Sequence, residues 1–231
     1  MRKKLIMVIL VFSFLFFSFS VIEATFRRMR STAIYHPTTI ILDAGHGGFD
    51  GGAVGGNGLI ERDLVFNITQ MTAENLRLQG FNVILTRTDA KDLASANATN
   101  RKKEDLAKRV ELINQQTSAI AISIHANAIE NERWRGAQTF YHPKSLENKQ
   151  LASHLMSAMQ ANLPNNTRDA RTLSHLYILK HAQIPTALVE VGFLSNRAEA
   201  ALLSEDHYQE LVAYAIFEGI LAYFEALEVA D

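Results

Sequence analysis

Eight of the chain's 12 glycines fall between Gly45 and Gly58. They lie in the stretch IILDAGHGGFDGGAVGGNGLIERD, which runs from Ile40 to Asp63. So many glycines after the apolar run Thr39 to Leu42 mean that the backbone there turns sharply or approaches a ligand closely. Asp43 and His46 stand at the start of this loop, and Glu61 at its far end opens a segment of helical periodicity. A histidine and a carboxylate at the two ends of a glycine loop suggest a metal site. A surface loop carrying an incidental histidine is the alternative on this stretch alone.

The rest of the chain narrows the choice. With 231 residues, 48% hydrophobic and 20% charged, it can form one globular domain with a full core, plus one further apolar segment. A net charge of −1 gives no basic face for nucleic acid, so no nucleic-acid partner is expected. Cysteine is absent, which excludes disulfides, thiolate nucleophiles and cysteine zinc sites and leaves His, Asp and Glu for metal chemistry.

Arg2, Lys3 and Lys4 precede 18 uncharged residues from Leu5 to Ile22. A basic stretch followed by an apolar run is the pattern of a secretory signal, and this run is just long enough to span a bilayer. Ile22 and Glu23 before Ala24 do not read as a small-x-small cleavage site, so residues 1–24 are expected to act as a signal peptide or a retained membrane anchor. Residues 25–37 read as a linker and 38–228 as the folded domain. The protein is expected to be exported, its N-terminal segment meeting the membrane.

Within the domain, helical spacing predicts a helix from about Glu61 to Gln79, capped near Gly80, and another over Arg101 to Gln116. Phe81 to Thr86 reads as a strand. Ala119 to Ile124 is a continuous apolar run, as in a strand buried on both faces. Gly136 to His142 is expected as a strand, Leu146 to Leu163 as a helix, and Asn165 to Ser174 as a polar loop. LYIL (Leu176 to Leu179) and TALVEVGF (Thr186 to Phe193) read as two further strands, and Glu205 to about Leu227 as an amphipathic closing helix. The alternation implies an α/β sheet covered on both faces.

Ligands of open α/β sheets bind beyond the carboxyl ends of the strands. Leu42 leads to His46, Ile124 to His125 and Val189 to Glu190, and Glu61 returns to the same edge. Two imidazoles and a carboxylate form a catalytic zinc set with one position left for water, and a second carboxylate can move that water's proton. His46, Glu61 and His125 are the expected ligands and Glu190 the base, with Asp43 orienting a ligand histidine. Taken singly, His125 can also be a satisfied strand-end histidine, and Glu61 a helix N-terminal carboxylate favoured by the dipole. Glu190 is harder to set aside, because an acid inside a buried apolar run must be paired or functional. Asn127, Arg171 and His175 are further candidates for touching substrate.

Four separated motifs, ILDAGHGGFDGGAVG, LIERDL, ISIHANA and ALVEVGFLSN, resemble the zinc-dependent N-acetylmuramoyl-L-alanine amidases of bacterial cell walls. The resemblance covers about Thr38 to Phe224. It implies a three-layer α/β/α fold with a mostly parallel sheet of about six strands. It also implies Zn2+ on His46, Glu61 and His125, and a catalytic carboxylate at Glu190. Ala44 stands where proline is common in the family and Lys180 where arginine is common. A bare catalytic domain behind an apolar N-terminus, with RWRGAQTFYHPKSLENKQLA and LYILKHAQIPTALVEVGFLSN, is most similar to the germination-specific amidases of spore-formers. That implies peptidoglycan of the spore cortex as substrate, a role in sporulation and germination, and muramic lactam formation by a partner polysaccharide deacetylase. It places the enzyme in the cell envelope or the spore intermembrane space. A zinc peptidase or deacetylase would use the same metal and base, and a membrane-tethered binding protein would require a broken site. All four positions are intact here.

Overall fold

The computed structural model describes residues 39–164 and 166–229; the expected signal or anchor, residues 1–24, and the expected linker, residues 25–37, lie outside them. Six strands form one sheet in the order β2-β1-β3-β6-β4-β5. They are β1 (Thr39–Ala44), β2 (Asn82–Leu85), β3 (Ala119–Asn127), β4 (Gln138–Tyr141), β5 (Arg171–Thr172) and β6 (Thr186–Phe193). The pairs β1–β2, β1–β3, β3–β6 and β4–β5 are parallel, and β4 runs antiparallel to β6. The sheet is therefore mixed and mostly parallel, as expected.

Strand alternation assigns the two faces. Ile40, Leu42, Ile120, Ile122, Ile124, Ala187, Val189 and Val191 bury against one face with helices α1 (Glu61–Leu78), α3 (Leu146–Asn162) and α6 (Asp206–Glu228). Ile41, Ala119 and Ala121 point to the other, covered by α2 (Arg101–Asn114) and the short α4 (Tyr177–His181). Continuing that alternation, Asp43, Ser123, His125, Leu188 and Glu190 also face the α2–α4 side. There the carboxyl ends of β1, β3 and β6 border a cavity lined by Asp43, His125 and Glu190.

Two expectations are corrected, and one helix is added. LYIL is not a strand: Leu176 is extended, but Tyr177 to His181 form α4. A four-residue apolar run cannot separate strand from helix by periodicity. The Lys144 ammonium, distant in sequence, caps the carbonyls of Leu179, Lys180 and Ala182 at the end of α4. The loop from Asn165 to Ser174 contains the short edge strand β5. A further helix, α5 (Arg197–Leu203), starts where the Asn196 side chain accepts the N–H groups of Ala198 and Glu199. The end of α1 is as predicted. Gly80 adopts φ 95°, and the N–H groups of Gly80 and Phe81 return to Arg77 and Leu76, a Schellman closure.

Helices α3 and α6 pack closely at Gly219, where an added Cβ would lie 2.6 Å from Leu155 Cα. Gly219→Ala gains at most about 1 kcal/mol of helix propensity, whereas overpacking against backbone costs about 1–3 kcal/mol. With the full propensity gain, the expected net effect is destabilisation by up to about 2 kcal/mol, read as a lower urea midpoint. Gly56→Ala meets nothing within 4 Å, and its midpoint is expected to hold or rise.

Candidate metal centre

Glu61 is the first residue of α1 and 4% exposed. Its carboxylate is fixed from several sides. Oε2 accepts the Ala53 N–H at 2.8 Å and Oε1 accepts the Ala126 N–H at 3.0 Å. His46 Nε2 lies 2.9 Å and His125 Nδ1 3.0 Å from the same Oε1. Ligand atoms of His46, Glu61 and His125 lie within 4.8 Å of one another, and the imidazoles meet edge to face at 5.0 Å. Two rings aiming nitrogens at one carboxylate oxygen form an arrangement that a divalent ion would satisfy. Residues 15 and 64 positions apart are thus brought to one point.

The glycines make this packing possible. A Cβ at Gly45 would fall 2.3 Å from His125 Cε1, and one at Gly52 would fall 2.5 Å from Glu61 Oε2. Gly52 also has φ +67°. His46 itself sits at φ 61°, which a residue with a Cβ seldom adopts. Two buried guanidiniums hold the backbone at this point. Arg109 donates to the carbonyls of Ala44 and His46 and to Asp43 Oδ1 at 2.8 Å. Arg87 donates to the carbonyls of Ala44 and Gly45, each at 3.0 Å, and to that of Arg62.

Electrostatics follow the same geometry. Burial pushes the Glu61 carboxyl up, but His125 and His46 more than offset it and hold the acid well below its ordinary range. Burial pulls His46 down, while Glu61 and then Asp50 raise it above its ordinary value. Asp50 Oδ1 lies 3.0 Å from His46 Nδ1 as an ion-pair contact, and its other oxygen lies 3.1 Å from Lys102 Nζ. Burial pushes Asp50 up, but His46 and Lys102 bring it down to about 2. Glu190 behaves oppositely. Its Oε2 is buried with no hydrogen-bond partner, and burial, opposed by His125 and reinforced by Glu61, raises the carboxyl to about 7. Glu190 pairs with His125 across β3 and β6. The two line a 280 Å³ cavity with Arg109, Leu106, Tyr177 and Leu188.

The structure thus brings His46, Glu61, His125 and Glu190 together. Asp43 lines the same cavity, with its oxygens taken by Thr86, Ser123 and Arg109, and the carboxylate beside His46 is Asp50. Asn127 ends β3 after a register shift. Arg171 is exposed on β5, and His175 is exposed just before Leu176 and Tyr177 of the cavity wall. Arg87, Arg109, Asp50 and Lys102 carry roles not read from the sequence. The one available signal was the charged pair Asp105 and Arg109 at i, i+4 beside the apolar positions Leu106, Val110 and Ile113 of α2.

Arg109 and Asp43 are 1% and 0% exposed. Burial raises the Asp43 carboxyl, but Arg109, with the Ser123 and Thr86 hydroxyls, brings it below its ordinary value. Such a group stabilises the fold above the ordinary carboxylate range and loses that contribution as pH falls through its folded pKa. Arg109→Met strands the buried Asp43 charge and is expected to cost about 3–5 kcal/mol at neutral pH. In the variant, burial raises Asp43 with only the Ser123 and Thr86 hydroxyls and His125 left to oppose it. The stability gap should therefore narrow at about pH 4, as urea unfolding at the two pH values will show.

The N-acetylmuramoyl-L-alanine amidase family model matches residues 40–222. A germination-specific N-acetylmuramoyl-L-alanine amidase of Bacillus subtilis is 45% identical over 188 residues, 80% of this chain and 79% of that protein. The N-acetylmuramoyl-L-alanine amidase LytC of the same species is 30% identical, over 80% of this chain but 35% of that protein. The CwlD amidase of Clostridioides difficile, solved in complex with the GerS lipoprotein, superposes with a TM-score of 0.78 at 38% identity, covering 82% of this chain and 99% of that one.

Proposed function

The chain belongs to the N-acetylmuramoyl-L-alanine amidase family, and from that premise we propose that it cleaves the bond between N-acetylmuramic acid and L-alanine with one zinc held by His46, Glu61 and His125 and with Glu190 as the base. The observation that carries the reading is the buried, unpartnered Glu190 oxygen beside a His–Glu–His group whose ligand atoms converge within 4.8 Å. Zinc, when bound, lowers the pKa of water to about 7 and polarises a carbonyl. The protein supplies the rest. Glu190, raised to about 7, is matched to neutral pH as a proton acceptor and then as a donor to the departing alanine amine. Asp50, 3.0 Å from His46 Nδ1, steadies that ring.

The biological setting rests on the relatives. The identity of 45% to a germination-specific amidase supports spore-cortex peptidoglycan as the substrate in this reading. The product would then be muramic acid freed of its peptide, on which a polysaccharide deacetylase would act to complete the lactam. The GerS complex of the C. difficile neighbour supports a lipoprotein partner as part of the proposal. Export depends on residues 1–24, and among the described residues no helix is long and apolar enough to cross a membrane.

Mass spectrometry of fragments released from purified peptidoglycan by residues 30–231 tests the bond: new alanine amino ends support the reading, and new sugar amines or internal peptide ends overturn it. Glu190→Gln is expected to keep zinc and lose about 10²–10⁴-fold in turnover. His125→Ala should lose zinc and activity together. Near wild-type turnover in the Gln variant would assign the base elsewhere.

A further inference from the structure

Beyond the metal group and Glu190, one cation is built into the sheet edge beside the site with donors to spare. Gln138 of β4 pairs directly with Glu190 of β6, so the two side chains share a face about 4.5–5.5 Å apart at Cβ. Gln138 is 1% exposed, and both ends of its amide are used. Oε1 accepts Arg168 Nε at 2.6 Å, and Nε2 donates to the Asp169 carbonyl. The Arg168 guanidinium lies 5.3 Å from the centre of the Trp134 ring and 5.1 Å from that of Phe193. Its Nη1 donates to the Arg135 carbonyl at 3.1 Å. Gly136 leaves room for the side chain to pass, since a Cβ there would meet Arg168 Cδ at 3.3 Å.

Four groups therefore hold this arginine in one orientation, which spares most of the side-chain entropy that recognition usually costs. Nη2 has no partner among the described residues. The nearby carboxylate, Glu199, is already engaged with the N–H groups of Gly136 and Phe193, at 2.7 and 2.9 Å. Arg171, exposed on the adjoining β5, adds a second positive charge. Asn166, 6% exposed and packed against Gly136, has both amide atoms unpaired. Buried polar atoms left unpaired are costly and mark where a polar ligand can complete the shell. A rigid planar cation with free N–H groups is matched to a carboxylate.

We propose that Arg168, fixed by Gln138, Trp134 and Phe193, selects substrates whose stem peptide carries a free carboxylate one to three residues beyond the cleaved amide. The reach agrees: Gln138 is one strand from Glu190, Arg168 lies beyond the Gln138 side chain, and an extended peptide advances about 3.3–3.6 Å per residue. The proposal rests on the amidase reading and adds specificity to it. Arg168 acts on the peptide, away from the reacting bond.

The test compares two muramoyl tripeptides that differ only in whether their peptide carboxylates are free or converted to primary amides. With wild-type enzyme, kcat/KM is expected to fall about tenfold or more on the amidated substrate. Arg168→Gln should lose that factor on the free-carboxylate substrate alone, with zinc content unchanged, and Arg168→Lys should restore part of it. Equal wild-type rates on both substrates, or an equal loss on both in the Gln variant, would overturn the proposal. Calorimetric titration of both compounds into Glu190→Gln protein gives the affinity ratio without turnover. Failure to release an alanine amino end would then count against the amidase reading, while the affinity ratio still decides on Arg168.

Discussion

The contact on which the site depends is the one between two buried guanidiniums and three successive carbonyls. At the end of β1 the chain leaves the sheet and turns through the left-handed region at His46. That conformation is unfavourable for a residue with a Cβ and persists only where the surroundings fix it. Arg87 and Arg109 supply this by occupying the carbonyls of Ala44, Gly45 and His46, and Asp43 neutralises Arg109 from within the strand. The charges serve the backbone first. Through it they place an imidazole nitrogen 2.9 Å from Glu61 Oε1.

A division of labour among carboxylates follows. Glu61 has its oxygens filled by N–H groups and imidazoles, and stays an anion. Asp43 is filled by hydroxyls and a guanidinium, and does likewise. Glu190, on the same sheet face, is given burial with no donor to its Oε2 and is pushed up to about 7. Three acids of one chemical type are thus set apart, Glu61 and Asp43 held as anions and Glu190 raised, by the donors around them.

Much of this was legible in the sequence because the governing signals are local. Apolar runs bounded by glycine or histidine gave β1, β3 and β6, helical spacing gave α1, α2, α3 and α6, and an acid within ALVEVGF marked Glu190. The parts that stayed hidden depend on distant residues. Tyr177 to His181 is a helix whose far end meets the ammonium of the distant Lys144, and Arg109 looks like an ordinary helix charge until Asp43, 66 residues away, is folded over it. Arg168 was one polar-loop residue among several until Trp134 and Phe193 came together around it.

Strand order carries one last consequence. β6, the sixth strand in sequence, lies inside the sheet between β3 and β4, and it carries the Glu190 paired with His125. α6, later still, closes the core against α1 and α3. A ribosome can release the loop, both imidazoles and Glu61 long before the strand that separates β3 from β4 exists. Contacts of such long sequence separation form late and slowly. A growing or truncated polypeptide ending before residue 186 therefore has an incomplete sheet and lacks Glu190, the carboxylate on which the proposed hydrolysis depends.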